Sequence, residues 1–151
     1  MNVNGWNDIG YHYLITVDGV KHQGRLENIT GAHTIGQNSN SIGICLVGHF
    51  DNYKPNNQQL ETLYNLIQDI FNRYGKLPIY GHNKYATKTC PGKMFPMDLL
   101  LSTVYSETIK PWAKSSWLKA VNKGVEDGQG EDDVVTSQKL MVYFDKLNLL
   151  D

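Results

Sequence analysis

Between Gly81 and Gly92 the chain reads Gly-His-Asn-Lys-Tyr-Ala-Thr-Lys-Thr-Cys-Pro-Gly, which puts a His, a Lys and a Cys close together. His82 and Cys90 are residue types that zinc takes, because imidazole nitrogen and thiolate sulfur both suit a borderline-soft cation. Lys88 stands two residues before Cys90. With Thr87 to Cys90 extended, Lys88 and Cys90 project to one side and the two threonines to the other. An ammonium beside a metal is placed to meet negative charge developing on a polarised carbonyl. Taken alone, one His and one Cys at this spacing match no zinc-finger pattern. A surface His and a buried thiol explain the same two residues.

The elements that must position this stretch are legible on either side of it. Leu77 to Tyr80 is a short apolar run that reads as a strand leading into it, and Pro91-Gly92 closes it with a turn. Upstream, Tyr11 to Thr16 reads as a strand, Asp18-Gly19 as a tight turn and Val20 to Gly24 as the returning strand of a hairpin. Residues 25–41 show no periodicity and read as loop. Ser41 to Gly48 is a short apolar run, as in a strand buried on both faces. Leu60, Leu63, Tyr64, Ile67, Ile70, Phe71 and Tyr74 then recur at three- and four-residue steps and predict a helix, with Asn56 and Gln59 to cap its start and Gly75 its end. Pro96 to Tyr105 reads as a second helix. From Pro111 the character changes. Two helical patterns flank an acidic, glycine-containing loop over 125–133, so 111–151 reads as a helix-loop-helix appendage.

Composition narrows the class. The chain has 151 residues, 40% of them hydrophobic, which suits one packed domain with a small appendage. A net charge of -1 carries no footprint for nucleic acid. No apolar run approaches a membrane span, and the first residues have neither the basic start nor the apolar stretch of a signal peptide. Cys45 lies in an apolar strand pattern and reads as a core thiol, so no disulfide framework is implied.

Several blocks occur in order: Gly5-Trp6-Asn7-Asp8-Ile9-Gly10-Tyr11-His12-Tyr13-Leu14-Ile15, Asp18-Gly19, Gly24-Arg25, Gly31-Ala32-His33, Asn38, Ser41 to Gly48, and His82 to Gly92. In that order and spacing, over residues 5 to about 103, the chain resembles the zinc-dependent N-acetylmuramoyl-L-alanine amidases, the group that includes phage lysozyme-type amidases and peptidoglycan recognition proteins. The resemblance implies an α/β fold, a mixed central sheet flanked by helices, with a groove for a glycan strand and its stem peptide. It makes His82 and Cys90 ligands of Zn2+, Tyr11 the residue that positions the attacking water, and Lys88 the one that stabilises the tetrahedral intermediate. His33 and Asn38 fall where the family lines its substrate groove. His12, next to Tyr11, is turned to the opposite face by strand alternation and reads as a satisfied core histidine. His22 and His49 read as exposed or structural.

The same resemblance places a first zinc ligand, a His on an early strand followed by a helix, before the Gly-Trp block. Met1 precedes Trp6 by only five residues, and none of His12, His22, His33 and His49 stands where that ligand belongs. An N-terminally truncated amidase fold is therefore expected over 1–105, with a weakened zinc site. Two functions follow: an endolysin-type amidase that cuts between N-acetylmuramic acid and L-alanine, or a catalytically inactive peptidoglycan-binding fragment. The 111–151 module resembles the short C-terminal module of some endolysins of phages infecting Gram-positive bacteria. That implies wall attachment or homo-oligomer formation. The expected partner is peptidoglycan, with no nucleic acid and no membrane. The expected location is the host cytoplasm before release, then the bacterial cell wall.

Overall fold

The computed structural model describes residues 9–106. The Gly5 to Asp8 part of the first block and the 111–151 module lie outside the described residues. Three strands form one mixed sheet: β1 (Tyr13–Ile15), β2 (Lys21–Gln23) and β3 (Ile44–Leu46), in the order β2-β1-β3. β1 and β2 are the expected antiparallel hairpin, with Leu14 opposite His22. Gly19, at a φ of 77°, supplies the left-handed turn residue. The Thr16 amide donates to the Val20 carbonyl across this turn, 3.0 Å away. β3 joins β1 in parallel, pairing Leu14 with Cys45, and is buried throughout. β2 is the exposed edge.

Helix α1 (Asn57–Tyr74) covers the sheet. Asn56 accepts from the Gln59 amide, 2.9 Å away, and Gln59 reaches back to the Asn56 amide. This capping box satisfies two donors that the first turn would otherwise leave open. Gly75, at a φ of 78°, closes the other end, its amide donating to the Phe71 carbonyl. Leu60, Leu63, Ile67 and Ile70 form the buried stripe that meets Ile15, Ile42, Ile44 and Leu46 in the core. Polar groups fix the docking angle. Gln59 Nε2 donates to the Val47 carbonyl, Thr62 Oγ1 to the Gly19 carbonyl and Asn56 Nδ2 to the Val17 carbonyl. Helix α2 (Met97–Tyr105) packs on α1 through Leu100 and Val104.

Two expectations about the stretch around residue 80 are corrected. Leu77 to Tyr80 is no strand, although Leu77 and Ile79 are buried. Pro78 interrupts the run and has no N–H to give to a ladder, and the Leu77 carbonyl is taken by the Tyr105 hydroxyl at 2.6 Å. Thr87 to Cys90 is not extended either. His82–Lys84 forms a single 3-10 turn, and the chain bends through 86–88 before turning again at 90–91. Side-chain sharing by strand alternation therefore does not apply to Lys88 and Cys90.

Candidate functional site

The floor of the site is His12, which is 1% exposed. Its Nδ1 accepts from the Gly43 amide at 2.9 Å, and its Nε2 faces the Ile29 carbonyl at 3.0 Å. An amide can only donate and a carbonyl only accept, so the ring is neutral with its proton on Nε2. It thereby pins the loop before β3 and the loop after β2 to the start of β1. The reading of His12 as a satisfied core histidine holds.

His33 sits on this floor. Its ring meets His12 edge-on, with centroids 5.6 Å apart, and stacks on Tyr11 at 5.9 Å with 20° between the planes. Two glycines make room for it. A Cβ on Gly43 would come within 2.5 Å of His33 Cδ2, and one on Gly31 within 2.5 Å of His33 Nε2. The sequence carries those glycines because no other residue leaves the ring its place. Burial, first, and then the neighbouring His12, His82 and Arg25 push the His33 pKa down to about 4. His33 is thus a neutral imidazole at pH 7, and His82 lies close enough to influence its charge.

Asn38 holds this loop in shape. Its Oδ1 accepts from the amides of His33 and Thr34, at 2.8 and 2.6 Å. Arg25 ties the loop from the other side, donating from Nε to the Ile9 carbonyl and from Nη1 to the Thr30 carbonyl. The Arg25 amide also donates to the Tyr11 carbonyl at 3.0 Å.

The 81–92 stretch forms the facing part. Its turn is closed by the Ala86 amide on the His82 carbonyl and by the Asn83 amide on the Cys90 carbonyl, at 3.1 and 2.8 Å. The second bond brings the Cys90 backbone alongside the His82 turn. Gly81 must lack a side chain, since its Cβ would meet Pro91 Cδ at 2.6 Å. His82 and Cys90 are half-buried, and Lys88 is exposed on the bend. The structure thus groups Tyr11, His33 and His82, ties Asn38 to the His33 backbone and Cys90 to the His82 turn, and leaves Lys88 exposed on the bend.

Imidazole and thiolate suit zinc, and a catalytic zinc takes three protein donors. Among the described residues no group of three His, Cys, Asp or Glu side chains is placed to hold a metal ion. His82 and Cys90 are donor types that zinc takes, and the described residues bring no complete set of three to them. Two residues that shape the site, Glu27 and Asp51, belong to no motif of the sequence. Their partners lie up to 47 positions away, beyond any local pattern.

Residues 1–93 match the family described as N-acetylmuramoyl-L-alanine amidase. An endolysin of Enterobacteria phage K11 is 38% identical over 94 residues, 58% of this chain and 61% of the relative. The chain therefore spans about six tenths of the length of that phage relative. The solved N-acetylmuramoyl-L-alanine amidase LysC from Clostridium intestinale is 32% identical with a TM-score of 0.65, covering 68% of this chain and 69% of that one. Human PGRP-IBETAC, solved in complex with glycosamyl muramyl pentapeptide, is 28% identical with a TM-score of 0.54, covering 64% of this chain and 58% of that one. No helix among the described residues is long and apolar enough to cross a membrane.

Proposed function

Because this chain belongs to the N-acetylmuramoyl-L-alanine amidase family, matched over residues 1–93, we propose that it hydrolyses the amide bond between N-acetylmuramic acid and L-alanine in peptidoglycan. The observation that supports the reading most is the placement of Tyr11 and His33 beside the His82 turn that also holds the Cys90 backbone. His82 and Cys90 would hold Zn2+, together with a donor outside the described set. Zinc, when bound, polarises a carbonyl and makes water acidic enough to supply hydroxide near pH 7.

The chain's own residues have separable tasks. Tyr11, fixed in orientation by its stack on His33, positions the water; an ordinary phenol, with a pKa near 10, is a poor base at neutral pH. Lys88, exposed on the bend before Cys90, brings its ammonium to the oxyanion of the tetrahedral intermediate. His33, neutral at pH 7, and Asn38 line the groove for the muramyl peptide. With Asn38 Oδ1 already accepting from two backbone amides, its amide nitrogen is the group offered to a ligand. The site of action is the bacterial cell wall, reached from the host cytoplasm as in an endolysin. Residues 111–151 serve as a wall-binding or oligomerising module.

The test is digestion of purified peptidoglycan by the full chain with zinc supplied. Expected products are free L-alanine amino termini and peptide-free muramic acid, both lost in His82→Ala and Cys90→Ala. New reducing sugar ends without new amino termini would refute amide hydrolysis. The incomplete donor set among the described residues favours one second reading, a peptidoglycan-binding protein without catalysis. Retention on purified walls at low salt with no released peptide would establish that reading.

A further inference from the structure

Cys90 and Lys88 lie on a stretch with no regular secondary structure beyond one turn, yet the segment that follows them is tightly fixed. The fixing comes from the turn after β3. Asp51 Oδ2 accepts from Thr89 Oγ1 at 2.6 Å, and Asp51 Oδ1 accepts from the Lys93 amide at 2.9 Å. These two bonds bracket Cys90 from either side in sequence. The adjacent Phe50 carbonyl accepts from the Met94 amide at 2.7 Å. Gly92, at a φ of 107°, lies flat against the same two residues; a Cβ there would come within 2.5 Å of the Phe50 oxygen and 2.8 Å of the Asp51 nitrogen. Phe50 itself is fully buried, so this anchor is set in the core.

We infer that Asp51 is a positioning residue, whose carboxylate spans Thr89 and Lys93 to hold the Cys90 thiol in its place beside the His82 turn. The inference rests on the proposed site, but the clamp is a property of this chain's own bonds. A carboxylate accepting from both a hydroxyl and an amide makes charge-assisted bonds, stronger than their neutral counterparts. Removing it leaves this segment the backbone bonds of Met94 to Phe50, Asn83 to Cys90 and Gly92 to Thr89.

The experiment measures the rate at which iodoacetamide alkylates Cys90 in the full metal-free chain, resolved from Cys45 by peptide mass spectrometry. Cys45 is 2% exposed and reports global opening. Asp51→Ala is expected to raise the Cys90 rate about tenfold while the Cys45 rate stays unchanged. Thr89→Ala, which breaks one bond without altering charge, is expected to raise it by a smaller factor. Asp51→Asn keeps an acceptor for the Lys93 amide and is expected to fall between wild type and Asp51→Ala. An unchanged Cys90 rate in Asp51→Ala overturns the inference. So does an Asp51→Asn rate equal to that of Asp51→Ala with no effect of Thr89→Ala, because charge alone would then account for it. A parallel rise at Cys45 also overturns it, since the carboxylate would then support the whole fold. None of these readings needs hydrolysis, so failure of the amidase reading shows separately, as absence of product from wild type.

Discussion

Glu27 joins an irregular loop to helix α1, and replacing it with Gln isolates the electrostatic part of that joint. Its carboxylate accepts from the hydroxyls of Tyr13 and Tyr74, each at 2.8 Å, and pairs through both oxygens with the Arg73 guanidinium. Burial is the largest influence on its carboxyl and pushes the pKa up. Hydrogen bonds from Arg73, Tyr13 and Tyr74 and the Arg73 charge together outweigh it and hold the group at about 2, below the ordinary 4.5. That displacement corresponds to roughly 3 kcal/mol. Arg73 is 38% exposed against 12% for Glu27, and solvent screening brings the figure down to about 1–2 kcal/mol. Arg73 also keeps Asp69 as a partner, so the variant strands no cation. The sign follows from the depressed carboxyl. Its contribution is complete above pH 4.5 and drains away as pH falls towards 2. Glu27→Gln should therefore lose about 1–2 kcal/mol in urea unfolding at pH 7 and match wild type near pH 2. Equal stability at pH 7, or a gap that stays constant down to pH 2, would refute the reasoning.

The imidazole of His33 should titrate near 4 by NMR in the metal-free chain; as burial depresses it, its contribution to stability is present above 6.5 and lost as pH falls towards 4. A midpoint at 6.5 or above would contradict the sandwiched geometry. Gly43→Ala should cost about 1–3 kcal/mol, because the added methyl meets a ring that Tyr11 and His12 hold from two sides. A thermal melt indistinguishable from wild type would show that the ring can yield. Lys88→Ala should lower kcat on peptidoglycan by about a hundredfold with KM little changed, and an unaltered kcat would remove Lys88 from the oxyanion role.

What the sequence made legible was local. Helix α1 announced itself through the apolar stripe, the Asn56–Gln59 box and Gly75, all within one stretch of chain. The hairpin followed from Asp18-Gly19 between two strand patterns. Residues 77–80 show the limit of the same signal. Burial alternates there, as in a strand, while Pro78 and the Tyr105 hydroxyl take the backbone out of any ladder. In the site, His82, Lys88 and Cys90 could be grouped because they fall on one short stretch. Tyr11 and His33 were joined to them only through resemblance, since their stack depends on two glycines and a folded loop that carry no periodic pattern. Asn38 shows a further gap: position suggested the groove, and its carbonyl oxygen turned out to be shaping the loop.

The two halves of the site are held by separate carboxylates acting on separate elements. Glu27 fastens the loop that carries Ile29 and Thr30, whose carbonyls receive His12 Nε2 and Arg25 Nη1, so it supports the Tyr11–His33 side. Asp51 fastens Thr89 and Lys93, so it supports the Cys90 side. The perturbations should therefore separate. Glu27→Gln should shift the His33 resonance and leave Cys90 alkylation unchanged, and Asp51→Ala should do the reverse. The stability losses of the double variant should add to within about 0.5 kcal/mol, as for sites without shared partners. A coupling well beyond that would mean that the two loops open as one unit, and that the site is held by a single cooperative frame rather than by two anchors.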